Sequence, residues 1–179
     1  MIPQPYYRNV ARPLPHLRTI SALCWLLLAI SGCDRGAAPR NIGKLAPDFS
    51  VADNGTTLRL SQFRGQVVML NFWASWCPPC VEEMPSLLDL HHRMPQVVIL
   101  AVSVDTDAEA YQNFLRDHHV DLLDVRDPSQ NSNHLYGTVQ FPETYVIDRS
   151  GHLRRKFIGA QDFTSPEILS YLTSIATQK

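Results

Sequence analysis

The stretch Val67-Val-Met-Leu-Asn-Phe-Trp73 runs without a break into Ala74-Ser-Trp-Cys-Pro-Pro-Cys80. Seven residues with a single polar member suit a strand buried on both faces rather than a half-wet one, which would alternate. From Cys80 to Met94 the period changes. Met84, Leu87 and Leu88 fall on one helical face, with Glu82, Glu83 and Asp89 largely on the other. A second apolar run, Val97-Val-Ile-Leu-Ala-Val-Ser-Val104, follows at once. Strand, helix and strand at this spacing predict a βαβ unit with two central parallel strands.

Working outward, residues 48–60 hold two short alternating runs around Asn54-Gly55, which predicts a hairpin that extends the sheet. Downstream the pattern predicts a helix over 108–118, a strand near 122–125, a short helix over 131–136, and a strand over 144–148. The turn Arg149-Ser-Gly151 returns that strand as another over 152–159. Ser165 as cap and Pro166 at the first helical position open a last helix that closes near Thr177. The order is mixed α/β, with central parallel strands and an antiparallel hairpin at the end of the sheet. No internal repeat is visible.

The four cysteines, Cys24, Cys33, Cys77 and Cys80, are too few for a disulfide-built scaffold, so each needs its own reason. Cys77 and Cys80 stand where the first central strand hands over to its helix. Unpaired main-chain N–H groups and the positive end of the helix dipole favour a thiolate there. Proline is tolerated in the first turn because its missing N–H has no helical acceptor to lose. This reading makes Cys77 the exposed, attacking thiol and Cys80 the shielded, resolving one. A zinc site would need two further ligands, and after Cys24 and Cys33 are accounted for only histidines remain. Haem attachment would need His at position 81, which is Val, and a peroxidatic cysteine of peroxiredoxin type usually has Thr where this chain has Ala74. An inert structural disulfide is the plainest alternative. Trp76 beside the pair and the strand-to-helix placement favour exchange chemistry.

The N-terminus reads as an export signal. Arg8, Arg12 and Arg18 precede the apolar run Ile20–Ile30, and the small residues Ser31 and Gly32 lead to Cys33. About 11 apolar residues are too few for a membrane-crossing helix, which needs roughly 20. Residues 1–32 are therefore expected to be a signal peptide of lipoprotein type, Cys33 the lipidated residue, 33–44 a tether, and 45–179 the folded domain. An uncleaved signal anchor and a secreted product are the alternatives, and all three put the domain outside the cytoplasm. Beyond residue 32, thirteen bases face seventeen acids, which is no footprint for nucleic acid.

Asn71-Phe-Trp-Ala-Ser-Trp-Cys-Pro-Pro-Cys-Val-Glu-Glu-Met-Pro85, together with Phe141-Pro-Glu-Thr-Tyr-Val-Ile-Asp148, resembles the TlpA/ResA-like family of membrane-anchored, thioredoxin-like oxidoreductases. The resemblance runs from about Leu45 to the C-terminus. It implies a thioredoxin-like fold, a central mixed sheet flanked by helices with an N-terminal β-hairpin extension. It also implies that Pro142 is the cis-proline opposite the cysteines, with Phe141 offering main chain to an extended substrate segment beside Trp76. Glu83 matches the family's glutamate after the motif, and Asn71 stands where thioredoxin carries a buried Asp. Glu83 then reads either as a group in proton transfer or as a solvated helix carboxylate. Glu143 resembles the Pro-Glu-Thr of the cytochrome c maturation branch, or is a surface acid at a strand start. Pro85 is expected to bend its helix near Val81.

The combined expectation is a reductase of protein disulfides that cycles Cys77 and Cys80 without a cofactor and is recharged by a membrane thiol donor. Its substrates would be apocytochrome c or copper-site assembly cysteines. The competing functions are a disulfide oxidase or isomerase, and a copper metallochaperone using the two cysteines with a histidine such as His134.

Overall fold

The computed structural model describes residues 41–177. A five-stranded sheet has the order β5-β4-β3-β6-β7, with β3 at Val67–Trp73, β4 at Val97–Ser103, β5 at Leu123–Arg126, β6 at Glu143–Ile147 and β7 at Leu153–Ile158. β3, β4 and β5 are parallel, β6 runs against β3, and β7 runs against β6 in turn, which returns it to the direction of the first three. Every residue of β3 is buried, as its unbroken apolar run demands. Its odd members, Val67, Met69 and Trp73, pack with α1 (Pro78–Arg93), α2 (Ala108–Asp117) and α4 (Pro166–Thr177). Its even members, Val68, Leu70 and Phe72, pack on the other face with Tyr136 of the short α3 (Asn131–Tyr136). Among the described residues no helix is long and apolar enough to cross a membrane.

The hairpin departs from expectation. β1 (Ser50–Asp53) and β2 (Thr56–Arg59) form a separate two-stranded sheet and do not extend the large one. Four-residue strands gain little from an edge of the sheet, but Val51 and Leu58 can cover apolar surface beside Leu100, Val102 and Val125. Asp53 then pins the hairpin to β5 through two hydrogen bonds from Arg126, at 2.9 and 3.0 Å. The chain joins the fold slightly earlier than residue 45. Gly43 N donates to Leu153 O, and Leu153 N to Lys44 O.

α1 begins at Pro78, with Cys77 as its N-cap. Its buried residues are Cys80, Glu83, Met84, Leu87 and Leu90. That series follows the i, i+3, i+4, i+7 rule from Cys80, so Glu83 belongs to the inner face and not to the polar one. Pro85 lies inside the helix, where it leaves the Val81 carbonyl without its usual donor.

Candidate active site

Cys77 and Cys80 are joined as a disulfide, with Cα atoms 5.3 Å apart. Their loop is braced from β4. Asp105, just past that strand, accepts from Ser75 N at 2.9 Å and Ser75 Oγ at 2.7 Å, and Ser103 Oγ also donates to it at 2.6 Å. Trp73, the last residue of β3, donates its indole N–H to Asp124 at 3.0 Å, and the Tyr111 hydroxyl donates to the same carboxylate. Burial pushes Asp124 up to about 8, against the pull of those two bonds.

Two expectations about the cysteines change. Cys77 is only 4 % exposed and Cys80 fully covered, because both belong to the core cluster that includes Trp73, Ala74 and Met84. The order of exposure is kept, but the pair is inset rather than displayed. Nor does the helix start offer free N–H groups. Pro78 and Pro79 have none, Cys77 N donates to Ala74 O, and Cys80 N and Val81 N both donate to Cys77 O. What stabilises a thiolate at Cys77 is then the helix dipole without the main-chain donors that usually accompany it.

Glu83 is 2 % exposed, which excludes the solvated carboxylate. Its Oε1 accepts from Asn71 Nδ2 at 2.7 Å and its Oε2 from Gln161 N at 3.2 Å. Asn71 Nδ2 also donates to Thr144 Oγ1 at 2.9 Å, while Asn71 Oδ1 is buried without a partner. Burial raises Glu83 to about 7, and the bonds from Asn71 and the Gln161 main chain only partly offset it. The site thus holds a carboxyl group that changes charge near neutrality one helical turn from Cys80.

The Phe141–Pro142 bond is cis. Gly159 N donates to Pro142 O at 2.9 Å, tying the corner to the end of β7. Phe141 meets Trp76 edge to face, ring centroids 6.1 Å apart, and Trp76 is 62 % exposed. Glu143 is also buried and is no surface acid; its Oε1 is 2.8 Å from Lys156 Nζ. Successive side chains of β6 alternate, so Glu143 and Thr144 leave the proline on opposite faces. Sequence reasoning named Asn71, but it missed Thr144, Gln161 and Lys156. Only the last two had no local signal, since they meet their partners across the fold.

His134 is exposed on α3. Among the described residues no three His, Cys, Asp or Glu side chains gather as a metal site, so it is not brought to the two cysteines. Cys33 and the expected signal lie outside the described residues.

Residues 42–156 match the model of the AhpC/TSA family. The thiol-disulfide oxidoreductase ResA of Bacillus thuringiensis subsp. konkukian is 33% identical over 137 residues, 75% of this chain and 78% of the relative. Among solved structures, one named for a thiol:disulfide interchange protein DsbE of Chlorobium tepidum superposes with a TM-score of 0.70 at 26% identity, covering 75% of this chain and 97% of the other. An exposed lipoprotein thioredoxin of Streptococcus pneumoniae gives 0.61 at 28%, covering 72% and 99%. With the inset cysteine pair, the buried carboxyl and the cis-proline corner in one thioredoxin-like fold, these likenesses place the chain in the AhpC/TSA family, among its ResA-like thiol-disulfide oxidoreductases.

Proposed function

We propose that this oxidoreductase works outside the cytoplasm as a reductase of protein disulfides. Cys77 as thiolate attacks one sulfur of a substrate disulfide and releases the other as a thiolate. Cys80 then loses its proton and attacks the Cys77 sulfur. The substrate leaves as a dithiol and the enzyme keeps the disulfide. Glu83 takes up the Cys80 proton, a role suited to a buried carboxyl poised near 7. A membrane thiol donor restores the dithiol, and the substrate pair belongs to an apocytochrome c or to a copper-site assembly factor.

The observation that carries the direction is the use of every main-chain position from 77 to 80, by two prolines and two engaged N–H groups. A fold of this kind becomes oxidising when its reduced form is stabilised by thiolate-binding groups. Here those donors are absent. A buried Glu83 further disfavours a second negative charge nearby. Both effects weaken the thiolate and favour giving electrons away. Measuring the reduction potential of the pair tests this. A value near roughly −270 mV supports a reductase, whereas one near roughly −120 mV, typical of a strong oxidant, rejects it.

Attachment through a lipidated Cys33 completes the reading. It is supported by the basic start, the short apolar run and the small residues before the cysteine, and by the likeness to a lipoprotein thioredoxin.

A further inference from the structure

The first residue after the cis-proline has a buried charge with partners of its own. Glu143 is 3 % exposed and pairs with Lys156 Nζ at 2.8 Å, while its Oε2 accepts from the Tyr145 hydroxyl at 3.0 Å. Tyr145 has one proton to give. Once that goes to Glu143, its oxygen accepts from Thr138 Oγ1 at 3.0 Å. Lys156 Nζ also lies 5.1 Å from the centre of the Tyr145 ring. Burial lowers the Lys156 ammonium, but the bonds to Glu143 and Tyr145 outweigh it and hold the group above its ordinary range.

This chain of contacts brackets one loop. Thr138 stands at its start and Glu143 at its end; between them lie the exposed Val139 and then Phe141, in contact with Trp76. A buried ion pair is a poor way to gain stability, since apolar residues of similar size commonly do as well. What it does supply is a fixed arrangement of the groups around it. Without the ammonium, Glu143 would be left as an unpaired buried charge and would turn toward water, dragging Pro142 and the loop with it.

We propose that Lys156 is a positioning residue for protein substrates. Acting through Glu143 and Tyr145, it fixes the Thr138–Phe141 loop so that an extended polypeptide carrying a disulfide can lie along the Phe141 main chain by strand addition. The proposal rests on the reductase reading above in taking polypeptide disulfides as substrates. It separates two properties that a buttress of the fold would change together. Docking of an extended chain depends on Lys156, and the reactivity of Cys77 toward a small disulfide does not.

The test compares the full chain, Lys156→Met and Lys156→Arg in steady-state exchange with a disulfide-bonded peptide and, separately, with oxidised glutathione. Lys156→Met is expected to raise KM for the peptide about tenfold while kcat and the glutathione rate stay within about twofold. Lys156→Arg keeps the charge and recovers most of the peptide KM. If the methionine variant does not fold, Lys156→Gln takes its place as the variant without the ammonium, with a raised peptide KM at a kept glutathione rate supporting the proposal and an unchanged peptide KM overturning it. An unchanged peptide KM in a folded Lys156→Met protein overturns it, as does an equal loss toward both substrates. Failure of the wild type on both disulfides would instead reject the reductase reading itself.

Discussion

Asn71 Nδ2 and Glu83 Oε1 are 2.7 Å apart, both side chains buried, one from the central strand and the other from the helix that carries the cysteines. An amide can serve a carboxyl group in either charge state. As oriented, Asn71 donates to the carboxylate; a half-turn of the amide would present Oδ1, now without a partner, to a protonated Glu83 and to the Thr144 hydroxyl. Thr144 thus gives the last residue of Pro-Glu-Thr a physical role at the site, as Lys156 does for the middle one.

Glu83→Gln is expected to stabilise the oxidised protein at high pH. A carboxyl raised from 4.5 to about 7 contributes stability that is whole below 4.5 and lost as pH rises through 7. At roughly 1.36 kcal/mol per unit, the loss is on the order of 3 kcal/mol above pH 8. Glutamine keeps the shape, accepting from Gln161 N and donating to a turned Asn71. Urea unfolding at pH 5 and pH 8 checks it: the variant's advantage should grow with pH, and an advantage independent of pH would leave Glu83 without a titration.

Cys77 should react first. After reduction, alkylation near neutral pH is expected to label Cys77 before Cys80, following their order of exposure, 4 % against none. Cys80→Ala should then hold substrates as mixed disulfides through Cys77. Peptide mapping of the labelled protein reads the order directly, and faster labelling of Cys80 would reverse the roles.

Most of the fold was legible because its signals are local. The unbroken run of β3, the change to helical period after it, and the cap and proline before α4 each act within a few residues, and all three elements fall where the sequence puts them. The hairpin was found and misplaced, since its turn is local but the surface it covers is not. Glu83 shows a subtler case. Met84, Leu87 and Leu88 alone leave it at the border of their face, while Cys80 and Leu90, both fully covered, widen that face to include it. Lys156 and Gln161 could not be read from sequence. Gln161 lies 78 residues from Glu83, and its contribution is a main-chain N–H that any residue but proline has.

Trp76→Ala should cost binding and little stability. The ring is 62 % exposed and leans on Phe141, so its removal deletes an aromatic contact worth about 1 kcal/mol beyond area and an anchor for substrate. A several-fold rise in KM for a peptide disulfide, with the urea midpoint lowered by no more than the loss of that one contact of about 1 kcal/mol, is the expected pattern. A lowered midpoint with unchanged KM would make the ring a structural cover.

Cys33→Ser should release the protein from membranes. Two or more acyl chains hold stably at about 0.8 kcal/mol per buried CH2, whereas one holds only marginally. Fractionation of wild type and variant, with mass spectrometry of the mature N-terminus, checks this. A mature wild type that keeps Met1 and an unmodified Cys33 would remove the lipid anchor.

Asn71→Asp should set two buried carboxyl groups against each other. The new oxygen would stand where Nδ2 is now, 2.7 Å from Glu83 Oε1, a separation at which two negative charges cannot both persist without water. The pair would share one proton and titrate in two coupled steps, the second displaced well above the Glu83 value of about 7. Folding at neutral pH then retains a proton that the unfolded chain releases, so stability falls as pH rises toward that second step. Leaving a buried charge uncompensated typically costs about 3–5 kcal/mol, which sets the scale of the loss at pH 8. Below about pH 3, where both carboxyl groups are protonated in the folded and the unfolded chain alike, the variant should approach the wild type. Thiol exchange gives an independent readout, because the shared proton keeps the Cys80 acceptor occupied and should move the alkaline rise of the rate to higher pH. Urea unfolding followed across about pH 3 to 9, with exchange rates over its neutral and alkaline part, decides it. A stability difference that does not vary with pH would mean that the aspartate turns away from Glu83, and that the Asn71 bond does not govern the charge of the site.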